Sequence, residues 1–141
     1  MRVYLAGPLF SEAEQTWHMT FKKQLEESGH HVIWPFELIS AEQITQWGQD
    51  APRQIMKTDS KSIDASQVVI ALLDGTQVDD GTAWEIGYAY AKDIPVIGIR
   101  TDFRNAGDTT HSAVNAMIEG SCLCILRSRQ EVIERLKTMQ K

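Results

Sequence analysis

Five short apolar runs, separated by segments with helical patterning, constrain the fold more than any other feature of this sequence. The third run, residues 68–73, is continuous and rich in β-branched side chains, which is typical of a strand buried on both faces. Capping boxes begin at Ser11 and Ser40, in two of the intervening segments, and at Ser128, after the fifth run. The five predicted strands span residues 3–6, 31–34, 68–73, 95–99 and 122–126.

Strands that alternate with helices predict a doubly wound α/β domain with a parallel sheet. By analogy with the flavodoxin-like group, we expect five strands in the order 2-1-3-4-5 and helices on both faces. The third predicted helix carries Ile55 and Met56 inward. The chain of 141 residues suits one domain, residues 1–141. The predicted helices span residues 11–28, 40–47, 52–65, 80–92, 112–119 and a final segment from 128.

Charge and cysteine content exclude several function classes. The net charge is −5 and no basic run is interleaved with aromatic residues, so a nucleic-acid polymer is not an expected partner. No apolar run approaches the roughly 20 residues of a membrane span, and residues 1–8 are too short for a signal peptide. Cys122 and Cys124 are predicted on one face of the fifth strand, without further ligands at metal-binding spacing. We expect a cytoplasmic protein without a metal.

A group of acidic residues follows the third predicted strand. Asp79 or Asp80 is positioned to cap the next helix, and Glu85 lies one turn inside it, near the positive end of the helix dipole, which favours its ionised form. Open α/β sheets bind ligands at the carboxyl ends of their strands, so these carboxylates are predicted to converge on a ligand crevice. N-capping acids and one solvated helix glutamate explain the pattern equally well.

The other candidates are ambiguous from their positions alone. Tyr4 lies in the first strand shortly before the first loop, where it either hydrogen-bonds a ligand or packs in the core. Asp59 lies in the helix before the third strand, and its spacing favours a solvated helix face. The first loop, residues 6–11, matches neither a G-x-G-x-x-G nor a Walker A pattern, which disfavours dinucleotide and triphosphate sites of those types.

Three segments, taken together, resemble the nucleoside 2-deoxyribosyltransferase family. They are YLAGPLF at residues 4–10, IDASQVVIALLDG at residues 63–75 and DDGTAWEIGYA at residues 79–89, in the same order as in the family. An N-x-M segment at residues 115–117 extends the match to nearly the whole chain. The resemblance implies an enzyme that cleaves the N-glycosidic bond of 2′-deoxynucleosides and passes the sugar to another nucleobase, without a cofactor.

The resemblance also implies a role for individual residues. Glu85 falls on the nucleophile that attacks C1′ to give a covalent glycosyl ester, and Tyr4 falls on the tyrosine that orients it. Asp79 falls on an acid that contacts and helps protonate the base, and Asp59 on a second base-binding acid. The chemistry resembles that of retaining glycosidases. Asp80 beside Asp79 favours the protonated form of Asp79, and hence its use as a proton donor.

The remaining implied positions bear on substrate approach and assembly. Asn115 and Met117 fall on contacts to the sugar in a neighbouring subunit's site, which implies a homo-oligomer, a dimer or a trimer of dimers. A short amphipathic helix packing on its own domain explains these residues equally well. Gly7 would allow close approach of backbone to ligand, and Gly81 a tight helix entry. The implied partners are small-molecule deoxynucleosides and free nucleobases, as in nucleotide salvage.

Two other functions remain open at this stage. A deoxynucleoside 5′-monophosphate N-glycosidase has the same nucleophile, but it holds the phosphate with serines and a first loop rich in glycine and arginine. Here residues 7–10 read Gly-Pro-Leu-Phe and Asn115 stands in the place of a serine, which favours a neutral 5′-hydroxyl. A non-catalytic nucleotide-sensing module on the same fold is the alternative of another class. Residues 35–50 do not align, so the preference for purines or pyrimidines is open.

Overall fold

One parallel sheet of five strands organises the fold. The computed structural model describes residues 1–140. The strand order is β2-β1-β3-β4-β5, as predicted, and every neighbouring pair is parallel. The flavodoxin-like fold class is therefore confirmed. The strands are β1 (Arg2–Ala6), β2 (His31–Ile33), β3 (Val68–Leu72), β4 (Val96–Ile99) and β5 (Cys124–Leu126).

Residues 1–140 contain six α-helices, and helices cover both faces of the sheet. They are α1 (Glu12–Glu27), α2 (Ala41–Trp47), α3 (Ala51–Asp64), α4 (Asp80–Ala91), α5 (Ala116–Ser121) and α6 (Arg129–Met139). The predicted capping boxes at Ser11, Ser40 and Ser128 are all present. No helix within residues 1–140 is both long enough and apolar enough to cross a membrane.

The core is divided by the sheet into two layers, as a doubly wound fold requires. On one face, α1 and α6 bury Phe21, Leu25 and Leu136 against alternate residues of the strands. On the other face, α3 and α4 bury Ile63 and Ile86 against the remaining strand residues. Every residue of β3 is buried because both of its faces are covered, which explains its continuous apolar sequence.

The region before β5 differs from its prediction. The helix expected over residues 112–119 begins instead at Ala116, because the Asn115 side chain accepts the Met117 N–H and caps it. Cys122 caps the end of this helix and lies outside β5. Consequently Cys122 packs against the α3–α4 face and Cys124 against the α1–α6 face, so the prediction of one shared face was wrong.

The loops that follow β3 and β4 are tied together at the carboxyl edge of the sheet. Arg100 is fully buried and donates hydrogen bonds to the backbone carbonyls of Leu73, Gly75 and Arg104. The Asp74 carboxylate accepts the backbone N–H of Thr101 at 2.6 Å. These bonds hold the loop that leads from β3 into α4, and so they fix the position at which α4 begins.

Candidate active site

A cavity of about 430 Å³ opens between the N-terminal halves of α3 and α4. These helix ends lie at the carboxyl edge of the parallel strands, where ligands bind in this class of fold. The volume is within the range of about 300–1,000 Å³ that is common for small-molecule sites. Its lining consists of Pro52, Ile55, Met56, Asp59, Gly81, Trp84 and Glu85.

Glu85 is held in this cavity by a hydrogen bond from the centre of the sheet. The Tyr4 hydroxyl donates to Glu85 Oε1 at 2.5 Å. Tyr4 lies in β1 and is fully buried, and it pairs in register with Val69 of β3. A buried tyrosine on a central strand has little freedom to move, so the bond fixes the carboxylate and leaves Oε2 without this partner. The structure thus brings together the two residues predicted to be nucleophile and orienting group.

The electrostatics of Glu85 differ from the sequence-based expectation. Burial raises the pKa of Glu85 to about 7; the Tyr4 hydrogen bond works against that rise, and the nearby charges of Asp59 and Asp79 add to it. The helix dipole was expected to favour the ionised form. Burial has the larger effect, because a carboxylate loses most of its hydration when it is enclosed.

Asp59 also faces the cavity. The prediction from its spacing, that it lies on a solvated helix face, was therefore wrong. Its side chain is half-buried, and Oδ1 is enclosed without a hydrogen-bond partner among residues 1–140. Burial raises the pKa of Asp59 to about 6. An enclosed carboxyl group without a partner is costly unless it is protonated or meets a ligand donor. Asp59 is therefore suited to exchange a proton with a bound molecule.

The Asp79 carboxylate caps the N-terminus of α4. Its Oδ2 accepts two hydrogen bonds at 2.9 Å, from the backbone N–H and from the hydroxyl of Thr82. Of the two residues predicted as possible N-caps, Asp79 is the N-cap and Asp80 is the first helical residue. Asp79 does not line the cavity, although its charge reaches Glu85. A Cβ added to Gly81 would lie 3.3 Å from Asp79 Oδ2, so this glycine leaves room for the cap.

The packing around Gly7 leaves no room for a larger side chain. A Cβ added there would lie 2.4 Å from the ring of His18, closer than atoms of this kind approach. His18 is fully buried and stacks on Trp34, and burial lowers its pKa to about 4, so the ring is neutral. The packing of His18 therefore requires a glycine at position 7, whether or not a ligand is bound. The close approach of this glycine to a ligand stays a prediction.

Asn115 and Met117 lie apart from Glu85 in this chain. Neither lines the cavity between α3 and α4. Asn115 is exposed, and 79% of Met117 is exposed. Of the short helix predicted to pack on its own domain, Val114 is buried but Met117 is not. The Met117 side chain is exposed to contact another molecule, whereas Asn115 accepts the Met117 N–H through Oδ1 and donates from Nδ2 to Asp108 Oδ1 at 3.4 Å.

The apolar lining of the cavity was not predicted from the sequence. Met56 was predicted to face inward, yet it is 46% exposed and lines the open cavity, as Ile55 and Trp84 do. Pro52, Ile55, Met56 and Asp59 are spaced as one face of a helix, and an acid that ends an apolar stripe was the available signal. Arg100 was also missed. Within residues 1–140 no three His, Cys, Asp or Glu side chains are arranged to hold a metal ion.

The chain is similar to one protein family and to several solved structures. A family model described as nucleoside 2-deoxyribosyltransferase matches residues 3–117. A conserved protein from Enterococcus faecalis V583 has a similar structure, with a TM-score of 0.84 and 27% identity over 99% of this chain and 98% of that one. No curated protein matches this sequence.

Two further solved structures share the fold. One is a 2-deoxyribosyltransferase from Bacillus psychrosaccharolyticus, with a TM-score of 0.77 and 24% identity over 94% of this chain and 90% of that one. The other is a CMP N-glycosidase from Clostridium botulinum, with a TM-score of 0.61 and 23% identity over 97% of this chain and 99% of that one. At these identities, the likeness concerns the fold alone.

Proposed function

Because this chain belongs to the nucleoside 2-deoxyribosyltransferase family, we propose that it cleaves the N-glycosidic bond of 2′-deoxynucleosides and transfers the deoxyribosyl group to another purine or pyrimidine base. One observation carries the proposal: the Glu85 carboxylate lies in a small-molecule cavity, oriented by the Tyr4 hydroxyl, with Asp59 in the same lining. Salvage of nucleosides in the cytoplasm is the role that we propose for such an exchange.

In the proposed first half-reaction, ionised Glu85 attacks C1′ of the deoxynucleoside. A bond forms between C1′ and a Glu85 carboxylate oxygen while the C1′–N bond breaks, and that electron pair passes to the base nitrogen. The base receives a proton and leaves. In the second half, the nitrogen of another base attacks C1′ and gives its proton to the acid that protonated the first base, while the ester bond breaks and Glu85 is regenerated. Water in place of the second base gives slow hydrolysis.

Two acids are candidates for the group that protonates the leaving base. Asp79 is the residue to which the family resemblance points, but one of its oxygens already accepts two hydrogen bonds as the helix cap. Asp59 lines the cavity with an unpartnered oxygen and a raised pKa. These observations favour Asp59 as the proton donor, with Asp79 as a contact to the base.

A nucleoside with a free 5′-hydroxyl fits the site better than a 5′-monophosphate. The cavity lining, within residues 1–140, contains two carboxylates and no lysine or arginine. A phosphate dianion near Asp59 and Glu85 would be repelled, and no cation in the lining would compensate. The alternative of a 5′-monophosphate N-glycosidase is suggested by the fold of the Clostridium botulinum CMP N-glycosidase. To bind a 5′-monophosphate, the site would need cationic side chains from outside this lining.

We also propose that the site is completed by a second copy of the chain. Asn115 and Met117 are exposed and lie outside the lining of the cavity that holds Glu85, which suits contacts made across a subunit interface. An isologous dimer would give each of two equivalent cavities one such pair. The proposal thus accounts for two residues that are implied to contact the sugar but do not line the cavity of their own chain.

The test is to incubate the protein with thymidine and adenine and to analyse the products by chromatography. Formation of deoxyadenosine and free thymine is expected. Free thymine without deoxyadenosine would identify a hydrolase instead. Release of cytosine from dCMP but no turnover of deoxycytidine would favour the 5′-monophosphate N-glycosidase. Ligand binding without release of any base, unchanged in Glu85→Gln, would favour the non-catalytic nucleotide-sensing module.

A further inference from the structure

Trp84 lies beside the nucleophile and has no role in the chemistry described so far. Its side chain is 47% exposed and lines the same cavity as Glu85 and Asp59. Its ring stacks on Tyr88, with centroids 5.2 Å apart and ring planes inclined by only 12°. One face of the indole is therefore covered by the protein, and the exposed part of the ring borders the cavity.

The stack beneath Trp84 is held in place by polar contacts. The Tyr88 hydroxyl donates to the Asp64 carboxylate at 3.0 Å. Lys92 Nζ lies 5.3 Å from the centroid of the Tyr88 ring and 3.7 Å from Asp64 Oδ1. These contacts fix Tyr88, and Tyr88 in turn restricts the rotation of the indole. An aromatic ring that is already ordered loses little entropy when it binds a second ring.

From these contacts we propose that Trp84 is the stacking platform for the nucleobase, and so a residue that determines which bases the site accepts. The inference rests on the proposed function, because it takes the occupant of the cavity to be a nucleoside or a free base. The opposite part of the lining, Pro52, Ile55 and Met56, is apolar as well. A nucleobase has the matching chemistry, with apolar faces for these side chains and polar edges for Asp59.

The platform has a consequence for base preference. Stacking of a base on an aromatic side chain strengthens binding, and the effect grows with the area of overlap. An indole can cover both rings of a purine but only one ring of a pyrimidine. Purines are therefore expected to depend on Trp84 more strongly than pyrimidines. Trp84 therefore bears on the preference for purines or pyrimidines, which the sequence alone left open.

The test measures binding of free adenine and free thymine to the intact protein by calorimetry, which requires no chemical step. Trp84→Leu is expected to raise the Kd for adenine roughly tenfold and the Kd for thymine by a smaller factor. Trp84→Phe retains a ring and is expected to stay within about threefold of wild type. Tyr90→Leu is the matched control, because Tyr90 is an exposed aromatic residue of the same helix that lies outside the cavity.

Several outcomes would overturn the inference. One is a Trp84→Leu variant that binds adenine as tightly as wild type; another is wild-type protein that binds neither base. A third is a Trp84→Leu variant whose assembly changes size in gel filtration while its adenine affinity is retained, which would make Trp84 an interface residue. If adenine binds through Trp84 but thymidine and adenine give no deoxyadenosine, the platform stands and the transferase proposal fails. If exchange proceeds and Trp84→Leu is neutral, only the platform fails.

Discussion

At the scale of single residues, the proposed function depends on two carboxyl groups whose pKa values are raised by burial, to about 7 for Glu85 and about 6 for Asp59. The proposed mechanism needs Glu85 ionised and Asp59 protonated. Because Glu85 has the higher pKa, this is the minor of the two singly protonated forms. It is populated near pH 7 because the two pKa values lie close together.

Replacing Glu85 by glutamine should nearly abolish base exchange. The amide retains the shape of the carboxylate and can still accept the Tyr4 hydrogen bond, but it does not attack C1′. The loss should therefore appear in kcat and not mainly in KM. Rates of deoxyadenosine formation measure it. A variant with more than about a tenth of the wild-type rate, a loss of under about 1.4 kcal/mol, would remove Glu85 from the role of nucleophile.

The same substitution should stabilise the fold at alkaline pH. The pKa of Glu85 is raised from 4.5 to about 7 in the folded state, so the unfolded chain ionises first and the free energy of unfolding falls as pH rises between these values. Glu85→Gln lacks this loss. Its advantage should be small below pH 4.5 and should approach an upper limit of about 3 kcal/mol above pH 7. Urea unfolding at pH 4 and pH 8 measures it, and an equal difference at both values would contradict the explanation.

Replacing Asp59 by asparagine should shift the pH dependence of catalysis. The charge of Asp59 contributes to the raised pKa of Glu85, so its removal should lower that pKa. The acid limb of kcat/KM reports ionisation of the free enzyme and should move to lower pH. The maximum rate should also fall if Asp59 donates the proton. An acid limb at its original pH, with normalised profiles that superimpose, would show that the two carboxylates do not interact.

At the scale of elements, Asp79 joins the folding of α4 to the position of Glu85. The N-cap sets where the helix begins, and the helix then carries Glu85 to the cavity one turn later. A helix that began one residue later would alter the contacts of that turn. Capping by Asp79 is consequently a structural requirement that is separate from any contact with the base.

Two substitutions of Asp79 distinguish these roles. Asp79→Ala removes the cap and should lower the free energy of unfolding by about 1 kcal/mol, whereas Asp79→Ser retains a capping oxygen and should cost only a few tenths. If the carboxylate contacts the base, both variants should lose exchange activity. Thermal unfolding and exchange assays on the pair measure the two effects. Full activity in Asp79→Ser would limit the residue to capping.

Elements with local signals could be predicted from the sequence, and those defined by distant contacts could not. The capping boxes and an N-cap at Asp79 or Asp80 follow from patterns within a few residues, and the strand order was expected by analogy with the flavodoxin-like group. The boundaries of α5 depended on Asn115 as a cap and on the Glu119 carboxylate, which binds the Ala113 N–H at 2.8 Å. The exposure of Met56 depended on the groove between α3 and α4. The raised pKa of Glu85 depended on burial, which a dipole argument omits.

At the scale of the whole molecule, activity should depend on assembly. If Asn115 and Met117 complete a neighbour's site, Glu85→Ala and Asn115→Ala proteins should each be nearly inactive alone. After subunit exchange, about half of the dimers would be mixed, and each mixed dimer would have one intact site. Activity should therefore recover to roughly a quarter of wild type.

Recovered deoxyadenosine formation measures this complementation, and differently tagged subunits provide the control that exchange has occurred. A mixture that exchanges fully but stays inactive would show that each site is built within one chain. In that case, Asn115 would act through its own helix α5, which it caps.

The Tyr4–Glu85 pair and most of the apolar lining of the cavity come from different parts of the chain. Tyr4 and Glu85 belong to β1 and α4, whereas Pro52, Ile55 and Met56 lie together on α3. Substitutions among these three α3 residues can therefore alter the shape of the cavity without disturbing the bond between tyrosine and glutamate. In evolutionary terms, this separation would let descendants of one such gene diverge in the molecules they accept while inheriting the same tyrosine–glutamate pair.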